Sequence, residues 1–233
     1  MMRFLSLLIV AAAMLGAACS RTAPAVVYPD REIYPVAGID ISSHNGQVDF
    51  GAVKADGYDF VIIKATEGAT FKDKAFLDNY NRAIEAGLSV GAYHFFRFET
   101  SGYMQGLNFV NSINGRELHL PVAIDIEEWT NSAAQPTSHV LDRLNEMIDH
   151  LERHGYRVML YTNKNGYERF VRGNFPGYPV WLCSLVDPPA EPMRWTLWQA
   201  THRGEVAGTD HPVDINAFNG SREEWDKWLQ AMQ

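Results

Sequence analysis

Carboxylates at the ends of apolar runs are the residues of this chain with the clearest chemical potential. Asp125 and Glu127 close the run Val-Ala-Ile-Asp-Ile-Glu, Asp40 sits in Gly-Ile-Asp-Ile-Ser, Asp214 in Val-Asp-Ile-Asn, and Glu67 follows Lys-Ala-Thr. Residues i and i+2 of a strand point to one face. Asp125 and Glu127 are therefore expected to enter one cavity, while Val122, Ile124 and Ile126 fill the opposite face. Two carboxylates held close repel, and a partly dry pocket raises the pKa of at least one of them. One acid then stays protonated near neutral pH and can donate to a leaving oxygen, while the other stays ionised. Cleavage of a glycosidic bond needs this division of labour.

Each acid also has a structural use. Asp40 could cap the turn that runs through Ser42 to Gly46, and Lys64 with Glu67 could form an ion pair at a rim. Asp49 and Asp73 precede helical stretches and read as N-caps, and Glu128 reads as a solvated neighbour. Asp214 is harder to place in that way, because a carboxylate inside an apolar strand needs a partner. Tyr93, Phe95, Tyr161 and Trp198 lie at or near strand ends and are candidates to pack on sugar rings; Trp181 and Trp195 are assigned to the core. His44 and His94 are expected near the mouth. Cys183, in an apolar run, reads as a buried core thiol. Zinc-ligand spacing, a Gly-rich phosphate loop and a nucleophile elbow are all missing, so the reading calls for no metal and no cofactor.

The elements that must position these acids alternate. Val36–Ile41, Phe60–Thr66, Leu88–Phe95, Leu120–Glu127 and Tyr156–Thr162 read as strands, rich in Val, Ile and aromatics and bounded by Gly, Pro or Asn. Residues 74–86 carry Phe76, Leu77, Tyr80 and Ile84 at helical spacing, and residues 138–154 carry Leu141, Leu144, Ile148 and Leu151; Gly87 and Gly155 supply the stops. Strands alternating with helices imply parallel βα units. After residue 175 the pattern changes: Pro179–Cys183, Trp195–Ala200 and Val213–Phe218 read as strands with short connections, and a helix at Arg222–Met232 closes the chain. Eight strands, with helices mainly after the first five, make a single α/β domain, a barrel that has lost its late helices. In β/α barrels the active site lies at the C-terminal ends of the strands, where these acids fall.

The first residues read separately. A positive start at Met1–Arg3, an apolar run from Phe4 to Leu15 and small residues up to Cys19 form a signal peptide over residues 1–18. Leu-Gly-Ala-Ala-Cys resembles a lipobox, which makes Cys19 the expected lipidation site, with residues 19–35 as a tether and 36–233 as the catalytic barrel. Membrane contact is expected only through that anchor, and the protein is expected to be exported to the cell envelope or secreted. The net charge of −8 and pI of about 5.4 argue against nucleic acid as a partner. They also give no long-range attraction toward anionic polymers.

Taken in order, Gly-Ile-Asp-Ile-Ser, Phe-Val-Ile-Ile-Lys-Ala-Thr-Glu-Gly, Gly-Ala-Tyr-His-Phe, Ala-Ile-Asp-Ile-Glu and Val-Asp-Ile-Asn resemble the motifs of glycoside hydrolase family 25, the Chalaropsis-type lysozymes. The resemblance spans residues 36 to about 230. It implies a modified TIM-like (β/α)5(β)3 barrel and hydrolysis of the β-1,4 bond between N-acetylmuramic acid and N-acetylglucosamine in peptidoglycan glycan strands; the protein is expected to act as a monomer. The resemblance implies Glu127 as general acid, Asp125 as its partner, Asp40 and Asp214 as the other site carboxylates, and Tyr93, Tyr161 and Trp198 around the substrate; Glu67 and Phe95 are expected there from their places at strand ends. Inverting, acetamide-assisted and direct-nucleophile routes all fit such a set. A catalytically inactive peptidoglycan-binding lipoprotein and a chitinase-like glycosidase are the other readings of the same residues.

Overall fold

The structure, a computed structural model, describes residues 26–232. The expected signal segment and Cys19 lie outside these residues. Eight strands close a barrel: β1 (Ala37–Ile41), β2 (Phe60–Glu67), β4 (Ser89–Phe95), β5 (Val122–Asp125), β6 (Val158–Asn163), β7 (Val180–Cys183), β8 (Leu197–Gly204) and β9 (Val213–Phe218). A two-residue strand, β3 (Phe71–Lys72), folds back on β2. The strands from β1 round to β8 run parallel, and β9 is antiparallel to both β8 and β1, closing the ring. The missing late helices explain this inversion, since antiparallel neighbours can be joined directly whereas parallel ones need a long crossover. Residues 184–196 supply that crossover between β7 and β8 without a helix.

Helical segments follow the first five barrel positions: α1 (Phe50–Ala55), α2 (Phe76–Glu85), α3 (Gly102–Ile113), α4 (Thr137–Arg153), and a single turn, α5 (Lys164–Gly166), that runs into a π-helical turn at Tyr167–Val171. α3 was not expected from periodicity: its buried set includes Gly102, Gln105, Gly106 and Asn108, which weaken an apolar stripe. In α2 the buried residues are Phe76, Asn79 and Ala83, while Leu77 and Ile84, placed on the core face by spacing, are 50% and 36% exposed. Asp49 caps α1, accepting from Ala52 N at 3.1 Å. Asp73 accepts from Ala75 N at 2.8 Å and Ser43 N at 3.0 Å, so it ties two turns rather than capping α2 directly.

Alternation along the strands divides the apolar residues between two compartments. Ile39, Val61, Ile63, Val90, Ile124, Leu160 and Leu182 face outward under the helices, and Phe60, Ile62, Ala123, Met159, Trp181 and Leu197 fill the barrel interior. The last helix, α6 (Arg222–Met232), plugs the N-terminal end of the barrel with Trp225, which stacks on Phe60 at 5.0 Å and meets Phe218 edge-on at 5.2 Å. The described part of the expected tether is packed rather than free: Val27 and Tyr34 lie against the outer cluster of Trp198, Ala200 and Ala217. Tyr34 packs 5.9 Å from the ring of Trp195 and 5.7 Å from that of Trp198, which holds the chain against the wall before residue 36.

Gly38 in β1 faces the interior, where a Cβ would overlap the ring of Phe60. Gly38→Ala is therefore expected to cost about 1–3 kcal/mol of unfolding free energy through overpacking. Urea denaturation measures it, and an unchanged midpoint would contradict this account of the barrel floor.

Candidate active site

The C-terminal mouth of the barrel opens into a cleft of about 570 Å³, lined by residues from every strand position around it, among them Ser42, His44, Lys64, Glu67, Tyr93, Phe95, Asp125, Glu127, Asn163, Cys183, His202 and Asp214. A groove of similar volume at the other end of the barrel, about 590 Å³, has Glu152 as its one lining acid, and that acid already accepts the Tyr178 hydroxyl at 2.8 Å. The chemistry therefore belongs to the C-terminal mouth.

β5 ends at Asp125, two residues earlier than expected, and Glu127 continues the inward phase from the loop. Both still enter the cleft. Phe96 N bonds Asp125 O and Ile126 N bonds Tyr161 O, each at 2.9 Å, which carries the strand-like path past the end of the ladder. Asp125 is buried and its Oδ1 has no hydrogen-bond partner; burial, then the nearby Glu127, pushes its pKa well above the carboxylate range. Glu127 is raised too, mainly by burial and further by Asp40, against a hydrogen bond from Asn163 Nδ2 to Oε1 at 3.1 Å that favours its ionised form.

Asp40 and Asp214 face each other across the antiparallel β1–β9 pair. Gln199 Nε2 donates to both, at 2.9 Å to Asp40 and 3.0 Å to Asp214, and Asn216 Nδ2 donates to Asp40 at 2.8 Å. The amides are themselves held: Tyr161 OH donates to Gln199 Oε1 and Trp181 Nε1 to Asn216 Oδ1, both at 2.7 Å. Burial raises Asp40, with the two amides opposing it. Asp214, buried beside the charge of Asp40, is pushed up to about 9. Within this pair the amide hydrogen bonds to Asp40 favour its ionised form, and the proton is held preferentially by Asp214.

Glu67 lines the cleft and is also an ion-pair partner. Lys64 Nζ lies 2.6 Å from its Oε2, and Arg97 binds its Oε1. Lys64 and Glu67 would fall on opposite faces of a regular strand. A bulge in β2 between Lys64 and Thr66 resets the phase and turns both inward. Irregular register in β8 after Gln199 does the same for Gln199 and His202.

Not every expected site residue reaches the cleft. Tyr93 and Phe95 line it. Tyr161 points inward but lies a layer below, holding Gln199. Trp198 is a correction: it is 1% exposed, donates Nε1 to Ser184 O at 2.8 Å and packs outside the barrel, because alternation turns Trp198 out where Gln199 turns in. His94 is turned outward in the same way. It bonds Thr66 Oγ1 at 2.7 Å and Gln105 at 3.1 Å, with burial lowering its pKa to about 4. Asp40 does not cap the turn after β1; Ser42 does, accepting from His44 N. Cys183 is buried as expected, yet it borders the cleft, and burial lifts its thiol to about 12. Gln199, Asn216 and Asn163 were not singled out from sequence, although an amide within an apolar strand always signals a buried partner.

The model of Glycosyl hydrolases family 25 matches residues 39–209. Lysozyme M1 of Streptomyces globisporus is 34% identical over 80% of this chain and 68% of its own length. The N,O-diacetylmuramidase of Chalaropsis sp is 30% identical over 82% of this chain and 98% of its own. The solved structure of a family 25 glycosyl hydrolase from Bacillus anthracis superposes with a TM-score of 0.81 at 30% identity, covering 88% of this chain and 98% of that one.

The raised Asp214 makes a sign-defined prediction. Between the ordinary value of 3.8 and about 9, the unfolded chain ionises this carboxyl while the folded chain keeps the proton, so its contribution to stability falls as pH rises through that window. Asp214→Asn removes the penalty. Its stability relative to the parent, read from urea midpoints, should improve between about pH 5 and about pH 8. A constant difference across that range would contradict the protonated Asp214.

Proposed function

This chain belongs to glycosyl hydrolase family 25 and is a muramidase acting on peptidoglycan; from that premise we propose that it cuts the β-1,4 bond between N-acetylmuramic acid and N-acetylglucosamine, with Glu127 as general acid and Asp125 as its partner. The observation that carries this assignment is the entry of Asp125 and Glu127, both raised chiefly by burial, into one cleft at the barrel mouth. A substrate acetamide N–H donates to the Asp125 carboxylate where it borders the cleft. The new hydrogen bond favours ionised Asp125, and the proton shared by the pair then rests on Glu127. Glu127 passes it to the glycosidic oxygen as the bond breaks, while Asp125 orients the acetamide toward the anomeric carbon and Asp40 faces the positive charge that develops on the sugar. The charge on Asp40 also supports the protonated state of Glu127 before reaction. Asp214 and Gln199 hold Asp40 in place.

The wider setting is part of the same proposal. The protein is exported, supported by the positive and apolar start at Met1–Leu15, and is held at the envelope by acylation of Cys19. It works there as a monomer on glycan strands. Its net charge of −8 means that the wall is gripped by local contacts rather than by the overall field.

Glu127→Gln is expected to lower turnover of purified peptidoglycan by about 10²–10⁴-fold, the usual worth of a positioned general acid. Reducing-end release with mass spectrometry of the products checks both the loss and the muramic-acid ends made by the parent. No release by the parent would remove the assignment. Asn163→Ala is expected to shift the alkaline limb of the kcat profile upward, because it deletes the hydrogen bond that favours ionised Glu127. A limb that stays in place would show that another group governs it.

A further inference from the structure

The loop after β5 holds one large aromatic side chain out in solvent at the rim of the cleft. Trp129 is 73% exposed, lines the cleft with Glu127, and makes no ring contact among the described residues. The residues on both sides of it are tightly held. Glu128 is ion-paired to Arg169, which also binds Ala133 O, Gln135 O and Thr137 Oγ1. Thr130, a β-branched residue at φ 56°, occupies a left-handed conformation that such residues rarely adopt. Arg97 secures it there, donating to Thr130 O at 3.1 Å and Oγ1 at 2.9 Å while its other nitrogens bind Glu67. Asn131 then donates to Glu127 O at 2.7 Å and Phe96 O at 2.9 Å, and accepts from Phe98 N at 3.1 Å.

Backbone strain persists where its surroundings over-determine it, and it concentrates at functional sites. Here the strained residue and its hydrogen bonds do not bury Trp129. They fix the backbone that carries the indole, and so hold its Cα at the rim of the cleft before any substrate arrives.

We propose that Trp129 is a sugar-binding platform, whose face takes the apolar C–H face of a hexosamine ring next along the glycan strand from the bond that Glu127 protonates. The proposal rests on the muramidase reading and adds a subsite to it. The occupant follows from position and chemistry: the indole adjoins the cleft that contains the acids, and a pyranose offers a ring-sized apolar face bordered by hydroxyls.

The experiment has a kinetic arm and a binding arm. In the first, Trp129→Ala should raise KM for polymeric peptidoglycan about ten-fold, the worth of one good aromatic contact, with kcat within about two-fold of the parent. Trp129→Tyr, which keeps a ring, should recover most of the loss. In the second, peptide-free GlcNAc–MurNAc tetrasaccharide is titrated into Glu127→Gln protein. It should change the tryptophan fluorescence, and the change should vanish when Trp129→Ala is added. An unchanged KM, a Tyr variant no better than Ala, or a loss confined to kcat would overturn the platform. So would a fluorescence response that survives removal of Trp129. The binding arm needs no turnover: a parent that binds through Trp129 but releases no product would support the platform while removing the muramidase reading.

Discussion

Carboxylates gathered and buried at one barrel mouth cannot all carry charge. Asp40, Asp125, Glu127 and Asp214 are all raised above the ordinary range, in each case chiefly by burial. Their mutual repulsion is handled by pairing. Asp40 receives two amide hydrogen bonds, which favour its ionised form; Asp214 shares only one of those amides and is the stronger holder of the proton. Asp125 and Glu127 form the second pair. They titrate as a unit whose protons move between them according to which oxygen finds a partner. A site built in this way contains both an acid and a base at one pH, which glycosidic cleavage requires.

The barrel makes the arrangement affordable in structural terms because the supporting amides come from far along the chain and are rigid. Gln199 and Asn216 reach Asp40 from β8 and β9, and each is anchored below by an aromatic donor, Tyr161 or Trp181. These two aromatics meet edge-on, with ring centroids 4.5 Å apart, in the interior. The layer beneath the acids is thus both the filling of the barrel and the support of the site. The antiparallel β9 matters here, since its pairing with β1 sets Asp214 directly opposite Asp40.

The rim follows a different logic. Lys64, Glu67 and Arg97 form an ionic chain that ends at Thr130, so the wall contributed by β2 is tied to the loop that contains Glu127. The bulge in β2 is what brings Lys64 and Glu67 to the same side. Removing water from these ion pairs has an energetic cost, and the ties between loop and wall are what the site gains from them.

Much of this was legible in the primary structure. The strands up to Thr162, the loss of helices after residue 175, the final helix and the acids at strand ends all follow from local rules: alternation, helix stops and the position of active sites in barrels. Those rules act within a few residues, so no tertiary information is needed to apply them. The same rules could not say which of Trp198 and Gln199 turns inward, that Trp129 stands at the mouth, or that Lys64 and Glu67 share a face. These depend on bulges and on pairing register, which are set only when strands from distant parts of the chain meet. The hydrogen bonds of Gln199 and Asn216 to Asp40 span 159 and 176 positions. Composition alone identifies such amides as needing partners, but closure of the barrel decides which carboxylate they hold, and with it which acid of each pair keeps its proton.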